Sequence, residues 1–303
     1  MDRHAPEKRP GLMAPESAAA GQTVPVSAVR GATPDARRPV AAPTPWLPVQ
    51  RRAGAGTGPG TVLICFPPAG AGAGFFREWA GSLPGIRIVP VQLPGREERF
   101  GETPEEDAAA IARNIATAIA AEGWDRPVLL GYSYGALLAF ETALRLEADG
   151  IDIAGLVTMA RAAPQTTPQP TVADLDDDAF LDYVRRLGGL PPEMDEVPEF
   201  VELMLPVMRA DFRANDLYAR AESERLRCPI HTIAGTTDAA TANGRDTAWA
   251  ARTEAKHEVT RIDGGHFFIN ENPSAAFNQI RAVILSAGLA GTSSASRAGG
   301  SKA

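Results

Sequence analysis

The sequence predicts an α/β fold: a mostly parallel, doubly wound sheet with a helical lid inserted at one edge. Three observations carry this reading. From Thr61 onward, short apolar runs alternate with longer amphipathic ones. The short runs are nearly all apolar, as expected of strands covered on both faces rather than one. The alternation breaks once, over roughly 70 residues between Ala160 and Pro229, which is far longer than an ordinary connection.

The strand candidates are 61–66, 86–92, 127–131, 155–160, 229–234 and 257–262. Helix candidates lie between them at 74–83, 105–122, 135–148, 241–252 and 272–286. In 105–122, Ala108, Ile111, Ile115 and Ile119 recur every three or four residues, the stripe of a helix packed on a sheet. The long interval opens with an acidic helix start, Asp176-Asp177-Asp178, followed by Phe180, Leu181, Val184 and Leu187. A second helical stretch, 197–218, follows Gly188-Gly189-Leu190-Pro191-Pro192. Two helices inserted at the carboxyl edge of a sheet make a lid, expected over about 165–225.

Both ends fall outside this pattern. Residues 1–45 are rich in Ala, Pro, Gly, Ser, Thr and Arg and hold no apolar period, so disorder is expected there. The segment lacks the apolar core of a signal peptide, and a start at Met13 fits as well as a functional tail. The Gly/Ser/Ala-rich stretch 287–303 reads as a second disordered tail. What remains, 46–286, suits one α/β domain. A formal charge of −7 argues against nucleic acid, and no apolar run is long enough for a membrane span. Cys65 and Cys228 sit in apolar strand-like runs and read as small buried hydrophobes, which fits a reducing cytoplasm.

The chemistry centres on Gly131-Tyr132-Ser133-Tyr134-Gly135. This G-x-S-x-G follows a strand and opens a helix, the context that gives the motif its meaning. A sharp turn there exposes the Ser133 hydroxyl at the sheet edge, with a helix N-terminus behind it to favour developing negative charge. A serine needs a base, and the chain has four histidines. His4 lies in the tail, while His231 and His257 lie in strands. His266, after Asp263-Gly264-Gly265 and past the last strand, is the candidate. In this strand-turn-helix arrangement the chain order is Ser, acid, His. Asp238, on the loop after the strand at 229–234, is the candidate acid, with Asp263 and Asp246 as competitors. Oxyanion donors are expected from the backbone N–H of Tyr134 and from the small-residue loop after the first strand, at Ala69 with Gly70 next. In 197–218, Phe200, Met204 and Met208 stand at helical spacing and are read either as core or as lining of an acyl channel.

These positions resemble the type II (editing) thioesterases of polyketide and nonribosomal peptide antibiotic pathways, within the α/β-hydrolase superfamily. The likeness covers about 60–285. It rests on Phe66-Pro67-Pro68-Ala69-Gly70, Leu93-Pro94-Gly95-Arg96-Glu97 with Arg99, the elbow, Arg161-Ala162-Ala163-Pro164, Leu205 with Met208-Arg209-Ala210-Asp211-Phe212, and Gly264-Gly265-His266-Phe267-Phe268. The resemblance implies hydrolysis of acyl or aminoacyl thioesters on the phosphopantetheine arm of acyl or peptidyl carrier proteins. It implies an acyl-Ser133 intermediate. With no H-E-x-x-H, clustered Cys/His or P-loop in the sequence, no cofactor or metal is expected, and a monomer is expected. Both variable elbow positions are tyrosine here, where the family has His and Met or Phe. The oxyanion loop reads Ala69-Gly70-Ala71-Gly72 instead of A-G-G. Transfer or cyclisation through the same acyl-enzyme, and a non-catalytic binding protein on the same fold, are the alternatives.

Overall fold

The computed structural model describes residues 44–48, 61–164, 171–190 and 197–295, with side chains up to residue 287. Its elements in chain order are β1 (Thr61–Phe66), α1 (Trp79–Ser82), β2 (Ile86–Pro90), α2 (Ala108–Glu122), β3 (Val128–Tyr132), α3 (Tyr134–Ala148) and β4 (Gly155–Met159). After these come α4 (Asp177–Arg186), α5 (Pro198–Leu217), β5 (Ile230–Gly235), β6 (His257–Ile262), α6 (Phe268–Glu271) and α7 (Pro273–Ala295). The strands form one sheet in the order β2-β1-β3-β4-β5-β6, and every pairing is parallel. The expected α/β-hydrolase-type architecture is therefore present.

Alternate side chains of each strand leave on opposite faces. Ile64, Phe66, Leu129 and Leu156 meet Ile111, Ile115, Leu137 and Leu138 of α2 and α3 on one face. Leu63, Cys65, Leu130, Val157 and Ile233 meet Phe76, Trp79, Ile280 and Ile284 on the other. Both cysteines are buried and free, and burial raises the Cys65 thiol well above its ordinary range. Before the sheet, Thr44–Leu47 makes a turn whose Leu47 is fully buried and whose Trp46 carbonyl accepts from the Gln92 N–H at 3.0 Å. Residues 1–43 lie outside the described ones, as do 165–170, the first part of the expected lid.

Three expected elements differ. The candidate helix at 74–83 splits into a 3₁₀ turn, Ala73–Phe76, and the four-residue α1. The candidate at 241–252 reduces to a 3₁₀ segment, Thr247–Arg252, because Asn243 adopts a left-handed backbone (φ 58°) that a helix cannot contain. The last helix runs to Ala295, past the boundary expected at 286. Its nucleus is already anchored by Ile280 and Ile284, and no proline follows to stop propagation. No helix among the described residues is long and apolar enough to cross a membrane.

The sheet order reverses between β1 and β3: β2 lies beyond β1, and all later strands lie beyond β3. All carboxyl ends share one edge because every strand is parallel. The crevice outside that edge, at the reversal, is where ligands bind in folds of this kind.

Candidate active site

Ser133 stands at the reversal, immediately after β3. Its backbone is strained, with φ 52° and ψ −119°. Such a conformation costs a non-glycine residue on the order of 1–3 kcal/mol and persists only where the surroundings enforce it. They do so by close approach: a Cβ on Gly131 would lie 2.2 Å from the Gly135 carbonyl oxygen, and one on Gly135 would lie 2.1 Å from that of Phe66. The Ser133 N–H is held by the Met159 carbonyl at 2.8 Å.

The three sequence-predicted side chains meet. His266 Nε2 lies 2.9 Å from Ser133 Oγ, and His266 Nδ1 lies 3.1 Å from Asp238 Oδ1. Asp238 is buried on the turn after β5 and also accepts from the Ala240 N–H (2.9 Å) and the Thr241 hydroxyl (3.3 Å). The competitors are engaged elsewhere. Asp263 accepts from Thr236 at 3.4 Å, and Asp246 pairs with Arg261 at 2.7 Å.

The elbow tyrosines do different things. Tyr132 is buried, and its hydroxyl donates to the His266 backbone carbonyl at 2.7 Å. Its ring stacks on Phe267 with centroids 5.6 Å apart. Burial raises its phenol well above the ordinary range, so it stays a donor at any working pH. Tyr134 is also buried, and its hydroxyl has no hydrogen-bond partner among the described residues. Tyr132 thus fixes the loop that carries the base.

A cavity of about 270 Å³ opens over Ser133 and His266, with Ala69 and Tyr134 at its floor. Its opposite wall comes from the inserted helices: Tyr183 and Val184 of α4, and Phe212, Asn215 and Asp216 of α5. Arg161, after β4, lines it too and donates to the Asn215 side-chain oxygen. Burial lowers that guanidinium to about 10, which still leaves it charged at neutral pH.

The methionine stripe is corrected by this geometry. Phe200, Met204 and Met208 do not line the cavity. Met208 is buried with Phe180 and Val184, and Met204 packs on the same cluster. Met208 also sits against the loop after β1, its Cγ 2.9 Å from where a Gly70 Cβ would stand. Phe200 is 41% exposed. Phe212, one turn beyond Met208, also packs on Phe180 of α4, and it is at this turn, with Asn215 and Asp216, that α5 reaches the cavity. Spacing alone identified a stripe and left its facing open. The lining residues Tyr183 and Asn215, being single, carried no periodic signal that would have revealed them.

The family model for the thioesterase domain matches residues 61–284. Thioesterase PikA5 of Streptomyces venezuelae is 34% identical over 228 residues, 74% of this chain and 80% of that protein. Thioesterase TesA of Mycobacterium marinum is 34% identical over 214 residues, 70% of this chain and 86% of that one. Among solved structures, the type II thioesterase BorB from the borrelidin biosynthetic cluster is 33% identical with a TM-score of 0.72, covering 80% of this chain and 99% of that chain.

Proposed function

The chain belongs to the thioesterase domain family, and on that premise we propose that it hydrolyses acyl or aminoacyl groups from the phosphopantetheine arm of carrier proteins. The setting we infer is the clearance of stalled groups from a polyketide or nonribosomal peptide synthase. The observation that carries the reading is the continuous Ser133–His266–Asp238 relay, at 2.9 and 3.1 Å.

Ser133 Oγ attacks the thioester carbonyl carbon while His266 Nε2 takes its proton. Asp238 holds the imidazole in the tautomer that leaves Nε2 free and stabilises the imidazolium. The oxyanion of the tetrahedral intermediate is received by the backbone N–H groups of Tyr134 and Ala69. Collapse breaks the C–S bond, and the pantetheine thiol leaves with the proton from His266. Water, deprotonated by the same nitrogen, then attacks the acyl-Ser133 ester, releasing free acid and restoring the serine. Every proton and electron pair is accounted for by these groups and water, so the reaction needs no cofactor. All three side chains come from one copy, so a monomer suffices.

In this reading α4, α5 and the segments beside them form the lid, and the acyl chain lies between Phe212, Tyr183 and the sheet edge. The test is product analysis with an acyl-loaded carrier protein. Free acid with release of the carrier thiol is expected. An ester or lactone would instead make the enzyme an acyltransferase or cyclase, and an inert protein would make it a binding module.

A further inference from the structure

The loop that presents Ala69 is fastened from outside by two charged side chains that the reaction steps do not use. Ala69 and Gly70 are the central residues of a turn closed by the Ala71 N–H donating to the Pro68 carbonyl at 3.1 Å. The Gly70 N–H donates to Asp211 Oδ2 at 2.8 Å, 141 residues further along the chain on α5. Arg96, on the loop after β2, grips the same carboxylate through both terminal nitrogens, the Nη2–Oδ1 contact being 2.9 Å. Arg96 Nη1 also donates to the Ala71 carbonyl at 3.3 Å, and Arg96 Nε to that of Pro94 at 3.1 Å. Gln92 completes the cradle. Its side-chain oxygen accepts from the Ala73 N–H at 3.3 Å, and its amide nitrogen donates to the Arg96 carbonyl at 3.0 Å. Arg96 and Asp211 are 2% and 1% exposed.

We propose that Arg96 and Asp211 are positioning residues that set the Ala69 N–H for the tetrahedral oxyanion. The proposal rests on the reading of Ser133 as nucleophile and deepens it. Two physical requirements meet in the pair. A bond from the Gly70 amide to a carboxylate is charge-assisted and stiffer than one to a neutral acceptor, so the turn is held in one place. A bare carboxylate under that turn would oppose the charge forming at Ser133, and the bidentate guanidinium cancels it. Burial alone would lower the Arg96 guanidinium, but the charge and hydrogen bonds of Asp211 outweigh it, so the net shift is upward and the guanidinium stays charged. A misplacement of about 1 Å at such a donor is enough to cost about a hundredfold in rate. The pair also joins α5 to the oxyanion loop, so the wall of the acyl cavity and the donor beneath it are held by one contact.

The test compares Asp211→Asn and Arg96→Lys with wild type on an acyl-N-acetylcysteamine thioester. Rates are expressed per site that a fluorophosphonate labels at endpoint, which counts only folded, competent protein. We expect kcat per labelled site to fall about 10- to 100-fold with KM changed less than about threefold. Affinity for a trifluoromethyl ketone, whose hemiketal oxygen carries the same charge, should fall by a similar factor. A purely structural role would instead reduce the number of labelled sites while each kept its wild-type kcat and ketone affinity, and that result overturns the proposal. Ser133→Ala is the control. If it stays inert while both variants keep wild-type kcat per site, the positioning role alone is wrong. If it turns over, the nucleophile assignment is wrong and the proposal falls with it.

Discussion

The two walls of the acyl cavity are built by different means. On one side, Ser133, Asp238 and His266 stand on turns that follow β3, β5 and β6, the first two buried strands and the third the edge strand paired to β5 along its whole length. On the other, Tyr183, Phe212 and Asn215 stand on α4 and α5, whose own core is small: Phe180, Val184 and Met208 with a few half-buried neighbours. That second wall is tied down mainly by polar contacts, among them the ion pair of Arg209 with Asp177 (2.6 Å) and the ties of Arg213 to Glu106 and Asp174 (2.8 and 2.9 Å). Exposed pairs of this kind are individually worth on the order of 1 kcal/mol or less. On the proposed reading, the sheet edge carries the reacting side chains and the inserted helices meet the acyl chain.

Substitutions at the sheet edge should produce the largest effects and leave chain-length preference alone. Ser133→Ala is expected to lower kcat by about 10³-fold or more with circular dichroism unchanged. Asp238→Asn should lower it by about 10³- to 10⁴-fold by leaving His266 in the wrong tautomer. Asp263→Asn, whose carboxylate reaches Thr236 and not the imidazole, should retain at least about half the activity on the same order-of-magnitude basis. A reversal of the last two would reassign the acid.

Substitutions in the inserted helices should separate selectivity from stability. Phe212→Trp and Tyr183→Trp narrow the cavity, and at least one should lower long-chain turnover about tenfold relative to short-chain turnover, since a pocket discriminates by about 1–3 kcal/mol per methylene-sized change. Met208→Ala should instead cost about 2–5 kcal/mol of stability, as a buried side chain lost from a packed cluster does. Its ratio of long- to short-chain rates should not move. A selective loss of long-chain hydrolysis in Met208→Ala would return that residue to the channel.

Smaller effects test how the sheet edge is supported. Tyr132→Phe removes the donor to the His266 carbonyl and is expected to cost about 1 kcal/mol, read as a fall in kcat of up to about tenfold at unchanged KM. Smallest is a pH effect from the sheet itself. His231 and His257 both have pKa values lowered by burial, although Glu258 acts in the opposite direction on each. A lowered folded-state pKa means that the unfolded chain binds protons first. Stability is thus fully present above the ordinary histidine value of about 6.5 and declines as pH falls through it. Melting temperature from pH 7.5 to 5.5 should drop less in a His231→Gln/His257→Gln variant than in wild type.

The same division explains what the sequence revealed. Strands buried on both faces are apolar throughout, so TVLICF and VLLGY announce themselves, and the turns after them inherit their placement. Ser133 follows from that, His266 from elimination among four histidines, and Asp238 from chain order. The part of α5 that reaches the nucleophile was not legible, because Met204, Met208 and Phe212 share a helical period and only the packing decides which of them lines the cavity. The Arg96–Asp211 pair was visible only as two family motifs. Its partners lie 115 residues apart, and no local pattern links a residue after β2 to one on an inserted helix. The shortening of the candidate helix at 241–252 turned on the backbone of Asn243, which periodicity does not register.

The central claim, that one serine carries all acyl transfer, is tested most directly by titrating the enzyme with a fluorophosphonate while following hydrolysis of an acyl-pantetheine thioester. The account predicts one label per chain, mapped by peptide mass spectrometry to Ser133, and turnover falling to zero in proportion to labelling. Turnover that survives complete labelling, or a label mapped to another residue, would contradict it.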